Sequence, residues 1–240
     1  MDKKTAGRDS YPKLAEEVLS SMSRRLIEAQ ETERARIARD LHDDIGQQLA
    51  LLSITLEHTK QVAGNADHQV RSRLDELRKQ ILSISASVQN LSHELHSPTL
   101  RFVGVANAMR SFCAGLSKQQ KVEIDFSYKD VPRNVSQEIS LCLFRVLQEA
   151  LHNAVRHSGV SHFDVELWGA SGALHLTVRD SGLGFDLETA MKRRGLGLSS
   201  MQERLKLVDG ELSIDSQPSH GTTIQARVPL NPGNPSAREA

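Results

Sequence analysis

The sequence predicts two folds in series: an all-α antiparallel helical hairpin that joins a second copy in a dimeric four-helix bundle, then an α/β sandwich on a mixed sheet. Apolar residues recur at steps of three and four from about Pro12 to Gln61 and again from roughly Gln69 to Leu95, as one face of a helix requires. Turn chemistry in VAGNAD, residues 62–67, separates the two stretches. From about Arg101 short alternating runs are mixed with helical patterns, the texture of a sheet covered by helices.

The first helical stretch contains no internal proline and a single glycine, Gly46, and is too long for an ordinary globular helix, so it reads as a rod that packs on another rod. Its stripe is Leu26, Ile37, Leu41, Ile45, Leu49, Leu52 and Leu56, with Glu28, Glu31, Glu33, Arg34, Arg36, Arg39 and Asp40 on the other surface. The second helix repeats Val70, Leu74, Leu77, Ile81, Ile84, Val88, Leu91 and Leu95. Two helices alone bury little, so a homodimer is expected. Ser97-Pro98 stops the second helix.

A helix from about Val103 to Ser117 precedes KVEIDFSY (121–128), whose Val122, Ile124 and Phe126 alternate as in a half-buried strand. A helix from about Ser136 to His157 follows, then alternating runs at Phe163, Val165, Leu167; Leu174, Leu176, Val178; Leu212, Ile214; and Ile224, Ala226, Val228. A helix from about Leu198 to Val208 interrupts them. The expected organisation is therefore 1–32, the end of a signalling helix; 33–98, the hairpin; 101–230, the sandwich; and 231–240, a disordered proline- and glycine-rich tail.

Composition excludes several classes of function. Thirty basic residues balance thirty acidic ones, so no global field recruits nucleic acid or an anionic membrane, and no direct nucleic-acid partner is expected. Cys113 and Cys142 sit in apolar helical contexts without Cys-x-x-Cys spacing and read as buried thiols of a reducing compartment. No apolar run reaches the roughly 18 residues of a membrane span, and Met1 to Ser10 is polar. A cytoplasmic protein is expected, any sensor being a separate protein or a domain upstream.

Four features of the second half point to chemistry. LQEALHNAVRH places Glu149, Asn153 and His157 four apart on one helical face, with Leu147, Ala150, Leu151, Ala154 and Val155 free to face the sheet. A carboxylate, a carboxamide and an imidazole in a row suit Mg2+ with attached phosphates, though alone they also describe a solvated face. DSGLGF follows the strand LHLTVR: Gly182 and Gly184 permit a sharp turn and close approach to a flat ligand, and Asp180 can accept a hydrogen bond from an exocyclic amine such as that of adenine. GLGLSSMQERL sets Gly195 and Gly197 before a helix whose first N–H groups can face phosphate, and MKRR (191–194) fits a lid. Gly221-Thr222-Thr223 precedes the last strand. The last three are each equally ordinary turns; their order is far harder to reach by chance.

In that order they resemble the ATP-binding domain of the GHKL (Bergerat-fold) superfamily, shared by histidine kinases, Hsp90 chaperones, type II topoisomerases and MutL. The resemblance implies Mg2+-ATP held between sheet-backed helices and a lid. It assigns Asn153 to the metal, Glu149 to metal or water, Arg156 and His157 to phosphate, and Asp180 to adenine. Gly182, Gly184, Gly195, Gly197, Leu198 and Thr222 enter the same site on that basis.

The first half selects among those functions. Within ERARIARDLHDDIGQQL (33–49), Asp43 can hold the Nδ1 proton of His42 and leave Nε2 as the nucleophile, while Arg36 and Arg39 can offset phosphoryl charge. The stretch resembles the acceptor motif of the histidine-kinase subfamily that partners NarL/LuxR-type response regulators, and HSPTL (96–100) resembles the loop after its second helix, with Ser97 where that family usually carries arginine. The D-x-x-x-Q spacing of Asp43 and Gln47 is similar to that family's phosphatase motif, in which the carboxamide orients a water; the bland alternative is a polar bundle surface. His93 and His96 are read as structural. The implied activity is Mg-ATP-dependent autophosphorylation of His42 and transfer to a regulator aspartate. The alternatives are a GHKL ATPase or chaperone whose helices only assemble it, and a degenerate kinase acting as a dimeric scaffold.

Overall fold

A computed structural model of the chain describes residues 10–62, 68–95, 100, 103–187 and 196–230. The expected turn at 63–67, the Ser97-Pro98 stop, the MKRR lid, Gly195 and the tail 231–240 lie outside the described residues. The chain divides into two compact units, Met1–Pro98 and Thr99–Ala240.

In the first unit, helix α1 spans Ser10–Asp40, a π-helical turn spans Leu41–Gly46, α2 spans Gln47–Val62 and α3 spans His68–Leu95. The single rod expected up to Gln61 is thus interrupted by one wide turn. A π turn closes i→i+5 bonds and holds one residue more than an α turn. The burial pattern registers it. One series of shielded positions runs up the rod through Arg34, Ala38 and Leu41, then Gly46, Leu49, Ser53, Leu56 and Lys60, with Ala35, Ile37 and Glu57 half-buried beside it. Within that series every step is three or four except Leu41 to Gly46, which is five. Of the expected stripe, Leu26, Ile45 and Leu52 are 70%, 40% and 50% exposed, and at the wide turn Gly46 holds the shielded place instead of Ile45.

On α3, Ile81 is buried and Leu74, Val88 and Leu95 are half-buried, seven residues apart, against the rod. The intervening series Val70, Leu77, Ile84 and Leu91 is 47–51% exposed. Half of the apolar repeat therefore closes the hairpin and half stays open. Polar contacts fix the hairpin's register: the Ser92 hydroxyl donates to the Ala38 carbonyl at 2.9 Å, Lys60 pairs with Asp75 at 2.5 Å, and Arg78 lies 3.7 Å from Glu57.

In the second unit, α4 (Val105–Gln120) leads to β1 (Glu123–Lys129), α5 (Gln137–His157), β2 (His162–Ala170), β3 (Ala173–Asp180), α6 (Leu196–Lys206), β4 (Glu211–Ser216) and β5 (Thr222–Pro229). The strands form one mixed sheet in the order β1-β2-β3-β5-β4, with β1 parallel to β2 and the other pairs antiparallel. The Ser136 hydroxyl caps α5 by accepting the Ile139 N–H at 3.2 Å.

Strand alternation sends Phe163, Val165 and Leu167, then Leu174, Leu176 and Val178, then Ile224, Ala226 and Val228 to one face, where Leu143, Leu147 and Leu151 of α5, Met109 and Leu116 of α4, and Met201 and Leu205 of α6 cover them. Cys113 and Cys142 belong to this core as free thiols, and burial pushes both up to about 12. No helix among the described residues is long and apolar enough to cross a membrane.

Candidate functional site

Helix α5 carries the polar row that its spacing requires. Its apolar positions Leu147, Ala150, Leu151 and Ala154 are buried, which turns Glu149 and Asn153 to the rim of a cavity of about 370 Å3. The cavity is lined from α5 by Ala150, Asn153, Ala154 and His157, from the following residue by Ser158, and from the end of β3 by Asp180. Gly184 and Phe185 line it from the loop after β3, Gly197 and Leu198 from the start of α6, and Thr222 and Ile224 from β5.

Most of the residues singled out in the sequence meet here. Asn153, His157, Asp180, Gly184, Gly197, Leu198 and Thr222 line the cavity. Glu149 stands behind Asn153, whose Nδ2 donates to Glu149 Oε1 at 3.2 Å. That bond leaves the Asn153 carboxamide oxygen as the neutral hard donor of the pair, and oxygen donors of this kind fit Mg2+. Gly197 packs directly on the pair: a Cβ there would meet Glu149 Oε1 and come within 3.3 Å of Asn153 Nδ2. Arg156 is exposed on α5 and does not line the cavity.

Asp180 is 8% exposed. Its Oδ1 accepts the Gly182 N–H at 2.9 Å, and the Thr222 N–H also donates to the carboxylate. Burial nevertheless wins and raises its pKa from the ordinary aspartate value, against the pull of those two bonds. Gly182 does not line the cavity but builds its floor: its N–H orients Asp180, and a side chain there would strike Ser158, whose Cβ would lie 2.6 Å away. Gly184 adopts φ +56°, and a Cβ would sit 2.7 Å from the Gly221 carbonyl oxygen, so both conformation and space demand glycine.

Sequence reasoning passed over Ser158, Phe185 and Ser216. The Ser158 carbonyl accepts the Leu183 N–H at 2.8 Å, and the Ser216 hydroxyl accepts the Phe185 N–H at 2.9 Å while donating to the Gly221 carbonyl at 3.1 Å. These bonds lash the DSGLGF loop to α5 and to the β4–β5 turn. Nothing in local spacing marks them, because each joins segments distant in sequence.

In the first unit His42 and Asp43 lie exposed on the π turn, and Gln47, also exposed, opens α2. Arg36 is bound on both sides, to Glu33 at 2.5 Å and to Asp40 at 2.8 Å, and Arg39 Nε donates to the Ala35 carbonyl at 3.3 Å. The arginines expected to meet a phosphoryl group are thus held along the helix by exposed pairs, which are weak enough to exchange.

Comparison with known proteins agrees with both units. Residues 33–100 match the "Histidine kinase" family model, and residues 138–232 match that of the "Histidine kinase-, DNA gyrase B-, and HSP90-like ATPase". The chain is 32% identical over 237 residues to the sensor histidine kinase MctS of Rhizobium johnstonii, covering 95% of this chain and 50% of MctS. It is 34% identical over 213 residues to the oxygen sensor histidine kinase NreB of Staphylococcus carnosus, covering 87% of this chain and 60% of NreB. The signal transduction histidine-protein kinase/phosphatase DegS of Brevibacillus brevis is 27% identical over 206 residues, covering 85% of this chain and 53% of DegS. The chain thus spans between half and three fifths of the length of these relatives. With a helical segment that matches the histidine-kinase model followed by a histidine kinase-, gyrase B- and HSP90-like ATPase domain, the chain belongs to the histidine kinases.

Proposed function

We propose that the chain is the cytoplasmic catalytic core of a two-component histidine kinase, working as a homodimer. Its hairpin comprises residues 33–98 and its ATP domain residues 101–230, with 1–32 relaying a signal from an upstream sensor. The observation that carries the reading is the pairing of Asn153 with Glu149 beside Asp180 in one half-enclosed cavity, in a chain that also presents His42 on an exposed turn. The exposed apolar series on α3 supports dimerisation, since a second hairpin would cover it.

In this reading the adenine amine donates to Asp180, Asn153 and Glu149 hold Mg2+, and His157 and Arg156 meet phosphate. Bound Mg2+ would neutralise charge on the β- and γ-phosphates. Nε2 of His42 attacks the γ-phosphorus in line, the Nε2–P bond forms as the P–O bond to the β-phosphate breaks, and ADP leaves. Asp43 holds the Nδ1 proton throughout, so the imidazole keeps its nucleophilic tautomer. Transfer to an aspartate of a NarL/LuxR-type regulator follows. With the regulator bound, Asp43 and Gln47 orient a water for dephosphorylation, a role consistent with the kinase/phosphatase name of DegS.

Mass spectrometry after incubation with Mg-ATP at neutral pH tests this reading. A single acid-labile phosphoryl group on His42 is the expected result. Inorganic phosphate without phosphoprotein would instead favour a GHKL ATPase, and neither product a scaffold.

Asp180 gives a second, signed expectation. Its folded pKa is raised, so the native state holds that proton more tightly than the unfolded chain, and stability falls as pH rises through the window between the ordinary and the raised value. Asp180→Asn keeps an oxygen for the two N–H groups and removes the buried charge. Its thermal midpoint at neutral pH is expected at or above that of the parent, while ATP binding weakens by on the order of a hundredfold for loss of a charge-assisted bond. Scanning calorimetry and ATP titration on the same samples check the pair of opposite signs.

A further inference from the structure

The helices cover one face of the sheet, and the other face carries a groove that the ATP site does not use. Strand register aligns Trp168, His175, Arg227 and Glu211 in one row across β2, β3, β5 and β4. Beside this row lies a cavity of about 310 Å3. The Trp168 and His175 rings are stacked, with centroids 5.1 Å apart and planes within 10°. Thr177 forms part of the lining; it is 4% exposed, and its hydroxyl is buried without a hydrogen-bond partner. A buried hydroxyl without a protein partner costs free energy, and in native structures such a group is met by a water, an ion or a ligand, or stores strain. Arg227 is the cation of the row, and its contact with the largely exposed Glu211 is 3.8 Å, too long for a hydrogen bond.

Each wall specifies a part of a ligand. A flat aromatic stack takes a ring on its face. A guanidinium that no hydrogen bond holds takes a carboxylate, in the paired geometry that arginine favours. The Thr177 hydroxyl supplies one hydrogen bond from the lining. The cavity matches the lower end of the sizes of small-molecule sites, enough for one or two fused rings. The far end of the same face bears Glu123, Asp125, His162 and Asp164 gathered on β1 and β2, while Glu166 lies across from Thr177 and Glu211 beside Arg227, so an incoming carboxylate must displace Glu211 from the guanidinium.

We propose that this groove is a binding site for a small planar carboxylate, its ring on the Trp168–His175 stack, its carboxylate on Arg227 and one oxygen accepting from Thr177. The site lies on the opposite face of the sheet from the nucleotide cavity and does not rest on the kinase reading.

Trp168 is the only tryptophan in the chain, so its fluorescence reports on the groove directly. Benzoate, benzamide and cyclohexanecarboxylate are titrated into the whole chain. Benzoate is expected to change the emission saturably, with the neutral benzamide silent and the non-aromatic acid weaker. Arg227→Gln and Thr177→Val are each expected to weaken benzoate by about tenfold or more. Thr177→Val removes an unpaired buried group, so its thermal midpoint should not fall. Saturating ATP with Mg2+ should leave the benzoate curve in place. A linear response, an equal response to benzamide, displacement by ATP, or full affinity in Arg227→Gln overturns the proposal. The comparison of benzoate with benzamide on the parent chain decides the matter even if a variant fails to fold.

Discussion

His42→Gln is expected to lose all phosphoryl incorporation from γ-labelled ATP, a fall of on the order of a thousandfold or more, because the attacking nitrogen is removed. The substitution is mild for the fold. His42 is exposed on the π turn, and glutamine is at least as good a helix former as histidine. ATP binding belongs to the second unit and should therefore be unchanged, so the variant separates nucleotide affinity from transfer. Persistent label, or label moved to another histidine, would remove His42 from the acceptor role. Asp43→Asn belongs beside it, since a weakened but not abolished reaction is what loss of a proton-holding carboxylate predicts.

Asn153→Ala is expected to weaken Mg-dependent ATP binding by roughly a hundredfold, the scale on which metal sites suffer when a ligand or its support is removed. Two effects combine. The carboxamide oxygen is lost from the cavity, and Glu149 loses the Nδ2 donor that holds its Oε1. Titration calorimetry with and without Mg2+ gives the test: the two curves differ in the parent and should nearly coincide in the variant. An unaltered Mg2+ dependence would assign the metal to other groups. Because Asn153 is only half-buried, circular dichroism and the thermal midpoint should stay close to the parent's.

How much of this was legible in the sequence depended on the range of the interactions involved. Periodicity gave the hairpin, the strands and α5 because hydrophobic burial imposes a local period of 3.6 or 2, and that period is written residue by residue. The gathering of Asn153, Asp180, Gly184, Gly197 and Thr222 was legible only through their order along the chain, since nothing local brings β5 to the tip of α5. The lashing of the DSGLGF loop by Ser158 and Ser216 was not legible at all, for serine is common and its partners here are backbone atoms from distant turns. Arg156, which the family resemblance assigns to phosphate together with His157, does not line the cavity, because neighbours on a helix point about 100° apart and only one of the pair can face it. The place of Ile45 was misjudged because a count by three and four has no provision for a turn of five.

That turn has a mechanical meaning. The rod carries one residue of slack at the histidine, so α1 and α2 are out of phase by one helical step, about 100° of rotation. A rotation of α1 by that step would bring Ile45 to the shielded place that Gly46 now holds. His42 rides on the same residues and turns with them. The wide turn and His42, the proposed phosphoacceptor, thus share the same six residues.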